Sequence, residues 1–225
     1  MISRYGYWGA LVALALAGCA AEDRAPAGDD APAPPAEGER GRVVFLGTSL
    51  TAGLGLDPEQ AYPALIQRKI DSAGLSFEAV NAGVSGETSA GARRRIDWLL
   101  RQPVSVLVVE TGANDGLRGI DVDSLRANIQ AIVDDARRLS PPPAIILVGM
   151  RAPPNLGLGY ARRFRQVYPD LAEENDLPLV PFLLDGVAGV PSLNQSDMIH
   201  PTAKGQRRMA DIVWKVLEPV LKRAA

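Results

Sequence analysis

Residues 104–110 read Val-Ser-Val-Leu-Val-Val-Glu, an apolar run interrupted only by Ser105 before its terminal Glu110. A half-buried strand alternates apolar and polar side chains, whereas continuous apolarity is typical of a strand covered on both faces of a parallel sheet. We predict further strands at residues 42–47, 77–82, 144–150 and 179–182. Together they indicate a parallel sheet, which needs a crossover between successive strands.

Amphipathic helical patterns between these runs supply the crossovers. Their apolar stripes cover residues 62–70, 125–136, 160–171 and 209–220. We expect Asp57-Pro58 to open the first helix and Gly74 to close it. Asp123 is expected to open the second helix, and Pro169 to bend or restart the third. The alternation predicts one three-layer α/β/α domain over residues 41–225.

The amino-terminal region has the features of an exported and anchored protein. Residues 1–18 combine a basic start with an apolar stretch too short to span a bilayer, as in a signal peptide. The following Cys19 is the single cysteine, and Leu16-Ala17-Gly18-Cys19 resembles the lipobox of bacterial lipoproteins, which implies lipidation of Cys19. An ordinary secretory signal is the alternative. Residues 19–40 are rich in Ala, Pro and Gly and are expected to form a disordered tether. We therefore expect a protein anchored to the bacterial envelope. Ala20, in place of aspartate, resembles lipoproteins sorted to the outer membrane, which implies a position there facing the periplasm.

The charge pattern argues against binding of nucleic acid. Lysine and arginine number 24 and aspartate and glutamate 26, and the basic residues are scattered. One basic run, Arg93-Arg94-Arg95, falls in a helical pattern and is expected to form a solvated face. Because no heptad repeat or long apolar face calls for a partner, we expect a monomer.

Polar clusters follow three of the predicted strands, at residues 47–49, 83–87 and 111–115. Open parallel sheets bind ligands along the edge where their strands end. The segment 197–200, just before the last helix, can reach the same edge. We therefore expect one site built from these four segments.

The only histidine, His200, is the one imidazole that can act as a general base. Such a base contacts the nucleophile with one ring nitrogen and an acceptor with the other. Asp197, three residues earlier, can be that acceptor, with Asp115 as a competing carboxylate. Ser49 is the candidate nucleophile. Ser49 alone is also compatible with a helix cap, and His200 alone with a surface position, but their combination favours a serine hydrolase.

Acyl transfer also needs hydrogen-bond donors for a developing oxyanion. The candidates are the backbone N–H groups of Ser49 and Gly86 and the side-chain amide of Asn114, which alone is also compatible with a turn. No P-loop or dinucleotide-binding fingerprint is present in the sequence, and one histidine and one cysteine cannot form the usual zinc sites. We expect neither a cofactor nor a metal. An α/β-hydrolase nucleophile elbow has glycine two residues after its serine, and this chain has Thr51 there, which excludes that alternative.

Four blocks together resemble the SGNH (GDSL-type) hydrolase family, in particular its acyl-thioesterase, lysophospholipase and arylesterase branch, over residues 42–222. The blocks are Phe45-Leu-Gly-Thr-Ser-Leu-Thr-Ala-Gly53, Asn81-Ala-Gly-Val-Ser-Gly-Glu-Thr88, Thr111-Gly-Ala-Asn-Asp-Gly-Leu-Arg-Gly119 and Asp197-Met-Ile-His-Pro201. The resemblance implies a flavodoxin-like fold with five parallel strands in the order 2-1-3-4-5. It also implies that the catalytic residues are Ser49, Gly86, Asn114 and His200, with Asp197 as the triad acid.

Position 48 departs from the usual Gly-Asp-Ser-Leu motif of this family, because Thr48 replaces the aspartate. That aspartate lies outside the triad, so we expect the chemistry to persist while the rate and pH profile change.

The expected activity is hydrolysis of small-molecule carboxylic esters, thioesters or lysophospholipids through an acyl-enzyme. Leu117, Leu156 and Leu158, expected near the mouth of the site, favour an acyl chain. The alternatives are a carbohydrate O-acetyl esterase, a lipid-anchored binding protein whose site has decayed, and a nucleotide-binding flavodoxin-like module. The last of these lacks a phosphate loop.

Overall fold

The computed structural model describes residues 40–224, in which five parallel strands form one sheet in the order β2-β1-β3-β4-β5. The strands are β1 Gly41–Gly47, β2 Phe77–Gly83, β3 Val106–Glu110, β4 Ala144–Val148 and β5 Leu179–Val180. The fold class and the strand order are therefore confirmed. The predicted signal peptide at residues 1–18, Cys19 and the tether at 19–40, except for Arg40, lie outside the described residues.

Three strands are shorter than the apolar runs that predicted them. β3 starts at Val106 rather than at residue 104, β4 ends at Val148 rather than at residue 150, and β5 has two residues. The apolar side chains beyond these ends are still buried, since Val104, Met150 and Phe182 are at most 8% exposed. Apolarity predicts burial, and a buried loop residue satisfies it as well as a strand residue does.

Seven helices connect or flank the strands of the described region. They are α1 Ser49–Ala52, α2 Tyr62–Ser72, α3 Ser89–Leu99, α4 Ala113–Arg118, α5 Val122–Arg137, α6 Leu158–Glu174 and α7 Ala203–Ala224. Two predicted starts were wrong. Asp57-Pro58 opens a separate 3-10 turn at Pro58–Gln60 before α2. Asp121, rather than Asp123, caps α5 by accepting the Ser124 N–H at 2.9 Å.

Helix α6 does not restart at Pro169, which lies inside one continuous helix. Proline removes one backbone donor, but packing on both sides of it can hold the helix together. Phe164 and Tyr168 precede the proline and Leu171 follows it, and all three are at most 2% exposed. The buried stripe therefore crosses Pro169 without interruption.

The helices form two groups that cover the two faces of the sheet. Helix α2 packs against α7, while α5 packs against α3 and α6. Since right-handed crossovers in opposite directions from β1 place helices on opposite faces, the strand order itself produces the two layers. The loops after β1, β2 and β3 consequently meet at one edge. No helix of residues 40–224 has both the length and the apolarity needed to cross a membrane.

Candidate active site

The turn between β1 and α1 presents Ser49. Thr48 caps α1, because its hydroxyl accepts the Leu50 N–H at 3.4 Å. Ser49 is therefore not the cap, and its side chain is free to make another contact. It does so across 151 positions of sequence, where Ser49 Oγ lies 2.9 Å from His200 Nε2.

The second ring nitrogen of His200 is held by Asp197, since Nδ1 lies 2.6 Å from Asp197 Oδ2. The other carboxylate oxygen, Oδ1, accepts the backbone N–H groups of Ile199 at 2.9 Å and His200 at 3.0 Å. Met198 adopts a positive φ of 58°, which completes this tight turn. The short segment thus fixes the acid and the imidazole relative to each other.

The hydrogen bonds to Asp197 also fix its protonation. The His200 ring, followed by the backbone N–H groups of His200 and Ile199, lowers the pKa of Asp197 to about 2. An ionised carboxylate only accepts hydrogen bonds, so Nδ1 of His200 must carry the proton of this pair. In the neutral ring, Nε2 is then an acceptor facing the Ser49 hydroxyl. The arrangement is the one that a general base requires.

The competing carboxylate, Asp115, is engaged elsewhere. It is 1% exposed and accepts the backbone N–H of Ser89 at 2.8 Å and the Ser89 hydroxyl at 2.5 Å. These bonds tie α4 to the start of α3. Of the two carboxylates considered from the sequence, the structure brings Asp197 to the imidazole.

The oxyanion candidates lie on the neighbouring loops. Gly86 has a φ of 78°, a conformation that glycine adopts without strain, and its carbonyl accepts the Arg118 Nη2 donor at 3.0 Å. Asn114 Nδ2 donates to the Glu87 carbonyl at 2.9 Å, which leaves its second hydrogen for another acceptor. Among residues 40–224, the N–H groups of Ser49 and Gly86 donate to no other group. Ser49, Gly86 and Asn114 also line a common cavity with His200.

One ion pair beside this loop was missed from the sequence. Arg95, expected on a solvated face with Arg93 and Arg94, contacts both Glu87 carboxylate oxygens, at 2.7 and 2.6 Å. It also donates to the Ala82 carbonyl at 2.8 Å. Arg93 and Arg94 are exposed, so the expectation holds for them but was wrong for Arg95. Arg95 thereby anchors the loop that carries Gly86.

The cavity over Ser49 has a volume of about 590 Å³ and a mainly apolar wall. Its apolar lining includes Leu54, Leu117, Met150, Phe182, Leu184 and Ile199. Leu117 was predicted there, but Leu156 and Leu158 are exposed outside the lining. Within residues 40–224, no cluster of three His, Cys, Asp or Glu side chains is arranged to hold a metal ion.

Residues 45–208 match the GDSL-like lipase/acylhydrolase family. The chain belongs to this family. Membership makes it a hydrolase of acyl esters, as the sequence predicts.

Two curated bacterial proteins are similar to the chain in sequence. Esterase TesA of Pseudomonas aeruginosa is 39% identical over 180 residues, which cover 80% of this chain and 89% of the relative. The thioesterase 1/protease 1/lysophospholipase L1 of Escherichia coli K12 is 38% identical over 181 residues, covering 80% and 84%. Among solved structures, the psychrotrophic esterase EstA of Pseudoalteromonas, inhibited by monoethylphosphonate, aligns with a TM-score of 0.75. It is 33% identical, and the alignment covers 80% of this chain and 98% of EstA.

Proposed function

We propose that this family member is a serine esterase that hydrolyses carboxylic esters or thioesters of acyl chains through a covalent acyl-enzyme. The observation that carries the proposal is the continuous chain of contacts from Ser49 Oγ to His200 Nε2 at 2.9 Å and from His200 Nδ1 to Asp197 at 2.6 Å. Ser49 is 8% exposed and lines the cavity, so a bound ester can reach it.

In the proposed reaction, Ser49 Oγ attacks the carbonyl carbon of the ester while His200 Nε2 takes the hydroxyl proton. The imidazolium that forms is stabilised by the ionised Asp197. His200 then returns the proton to the leaving alcohol or thiol, and the carbon–oxygen or carbon–sulfur bond breaks. A water molecule, deprotonated by the same imidazole, then attacks the acyl-enzyme. The bond between the acyl carbon and Ser49 Oγ breaks, His200 returns the proton to Oγ, and the carboxylic acid leaves.

The negative charge on the carbonyl oxygen is proposed to be held by Ser49 N–H, Gly86 N–H and the Asn114 amide. Such donors stabilise the tetrahedral intermediate more than the planar substrate. Arg118 binds the Gly86 carbonyl at 3.0 Å, and Asn114 binds the Glu87 carbonyl at 2.9 Å, so the donors are restrained before substrate arrives.

The apolar cavity supports an acyl chain as the acid portion of the substrate. A cavity of about 590 Å³ with leucine, methionine and phenylalanine walls favours hydrocarbon over a sugar hydroxyl surface. The curated relatives are named as an esterase and as a thioesterase and lysophospholipase, which fits the same substrate class. A series of nitrophenyl esters is expected to show higher kcat/KM for acyl chains longer than acetyl. Strict preference for acetyl would instead indicate an O-acetyl esterase.

The central experiment compares Ser49→Ala with the wild type and with Ser72→Ala, an exposed serine on α2. Ser49→Ala is expected to lower ester hydrolysis by about 10³-fold or more and to abolish labelling by a fluorophosphonate. Ser72→Ala controls for loss of a serine and should behave as the wild type. Labelling that persists in Ser49→Ala would remove Ser49 from the role. An unlabelled and inactive wild type would indicate a decayed binding protein.

We further propose that the mature protein is a lipid-anchored monomer of the bacterial envelope, at the outer membrane facing the periplasm. The support is the segment Leu16-Ala17-Gly18-Cys19 and the Ala/Pro-rich stretch that follows it. In cells, Cys19→Ser should move the protein from the membrane to the soluble fraction. Membrane retention of that variant would contradict anchoring through Cys19.

A further inference from the structure

Glu110, the last residue of β3, is a buried carboxylate beneath the turn that carries Ser49. It is 0% exposed. Within residues 40–224, no lysine or arginine lies within ion-pair distance of it. A buried charge without a cation must be held by hydrogen-bond donors. Glu110 lies at the carboxyl end of β3, next to the turn that carries Ser49, and the donors come from that turn.

Glu110 binds the residues on both sides of Ser49. Its Oε2 accepts the Thr48 N–H at 2.7 Å and the Thr51 hydroxyl at 2.8 Å, and the Thr48 hydroxyl lies 3.0 Å from each carboxylate oxygen. Thr48 immediately precedes Ser49, and Thr51 lies in the same turn of α1. The carboxylate thus restrains the backbone before and after the serine.

The hydroxyl groups around Glu110 can all donate toward it, as an ionised carboxylate requires. Tyr62, buried on α2, lies 2.9 Å from Thr51 Oγ1. Burial raises the pKa of Tyr62, so its hydroxyl stays protonated and can donate to Thr51. Thr51 can then donate onward to Glu110. The hydrogen bonds from Tyr62 to Thr51 and from Thr51 to Glu110 thus end on a carboxylate, which when ionised only accepts hydrogen bonds.

The close packing leaves little room for another arrangement. A Cβ on Gly47 would lie 1.9 Å from Thr51 Oγ1 and 2.7 Å from Glu110 Oε2. Any side chain at position 47 would therefore displace the hydroxyl and the carboxylate. Movement of these groups would also move the adjoining Ser49 turn.

We propose that Glu110 is a positioning residue for the reaction: its carboxylate holds Thr48 and Thr51, and so aims Ser49 Oγ at His200 Nε2. The inference rests on the proposed function of Ser49. Protonation of Glu110 would replace one acceptor by a donor, and the turn would lose part of this restraint. The effect is on the rate of attack rather than on substrate binding, because Glu110 does not line the cavity.

The groups around Glu110 allow this effect to be followed by pH. Burial raises the pKa of Glu110 to about 7, against the opposing influence of the threonine donors. The titratable groups that face it are Tyr62 from α2 and Tyr168 from α6, and burial raises the pKa of both. Arg95 from α3 reaches the Gly47 carbonyl at 3.4 Å but not Glu110. Near neutral pH, the carboxyl is therefore the group of this network that changes charge.

The test compares Glu110→Gln with the wild type by the rate of inactivation by a fluorophosphonate and by kcat and KM. At about pH 8, Glu110→Gln is expected to lower kcat and the inactivation rate by about tenfold or more, with KM changed less than about twofold. At about pH 6 the wild-type carboxyl is largely protonated, so the ratio of wild-type to variant rates should approach one. The imidazole is present in both proteins and cancels in this ratio.

A matched pair at position 51 tests the route of the effect. Thr51→Val removes the hydroxyl and should lower kcat in the same way as Glu110→Gln. Thr51→Ser keeps the hydroxyl and should retain most of the wild-type rate. Melting temperatures identify variants that fail to fold. A wild-type-to-variant rate ratio of one at about pH 8, or a ratio above one that does not change with pH, would overturn the proposal. If Ser49→Ala retains activity, the proposed function fails; if only the Glu110 ratio is flat, the positioning role fails alone.

Discussion

The pH dependence of unfolding provides a test of Glu110 that needs no substrate. Burial raises the pKa of Glu110 from 4.5 to about 7 in the folded protein. Between these values the folded state holds a proton that the unfolded chain has released. The stability contributed by this carboxyl is therefore fully present below pH 4.5 and is lost as the pH rises through 7. The gap between the two pKa values corresponds to about 3 kcal/mol of unfolding free energy.

Glu110→Gln keeps the shape of the side chain but cannot ionise. Urea unfolding of both proteins at several values from about pH 4 to about pH 8 should show the wild type losing about 3 kcal/mol relative to the variant. With a slope of about 2 kcal/mol per molar urea, the difference between the two midpoints changes by about 1.5 M. Carboxylates with lowered pKa values, such as Asp71 and Asp121, are common to both proteins and cancel.

The exposed Glu78 on β2 offers a matched control. Glu78→Gln should follow the wild type at every pH, because the lost charge is in water in both the folded and the unfolded chain. Midpoints of the wild type and Glu110→Gln that run parallel from about pH 4 to about pH 8 would refute an ionisable Glu110 in the folded core. The pH range that activates the proposed Ser49 turn is thus the range in which the fold is expected to lose stability.

Three further substitutions have definite expected outcomes. Asp197→Asn should lower kcat by about 10⁴-fold because the amide favours the wrong tautomer of His200, and steady-state kinetics with an unchanged melting temperature would check this. Asn114→Ala should lower kcat by about 10²- to 10³-fold through loss of one oxyanion donor, and wild-type kcat would exclude the amide from that role. Gly47→Ala should destabilise the fold by more than about 2 kcal/mol, measured by urea unfolding, since its Cβ would lie 1.9 Å from Thr51 Oγ1.

The fold and the main site geometry could be predicted because they depend on features visible over short stretches of sequence. Buried parallel strands are continuously apolar, and their carboxyl ends share one edge. Asp197 and His200 are three residues apart, so a single turn sets their geometry. The contact between Ser49 and His200 followed from both segments lying at that edge.

Other contacts could not be predicted because their partners are chosen by tertiary packing. Glu110 was the polar end of an apolar run, and its bonds reach Thr48 across 62 positions. Arg95 was one of three consecutive arginines. It differs from Arg93 and Arg94 in the side of α3 on which it lies, since those two are exposed and Arg95 is partly buried. Local sequence gives the three arginines nearly the same character. The ion pair with Glu87 arises from the rotation of the helix.

The unusual Thr48 is a direct hydrogen-bond partner of the buried Glu110. Thr48 supplies two donors to Glu110, its N–H and its hydroxyl. With the aspartate of the usual Gly-Asp-Ser-Leu motif, position 48 would face Glu110 with a second carboxyl group. Two carboxyl groups in contact cannot both ionise without strong repulsion between their charges, so they would share a proton. Thr48→Asp should therefore raise the pKa of the Glu110 site further and move the expected pH dependence of both rate and stability toward higher pH. Curves that stay in place would show that the hydroxyl of Thr48 is not the group that keeps Glu110 ionisable near neutrality.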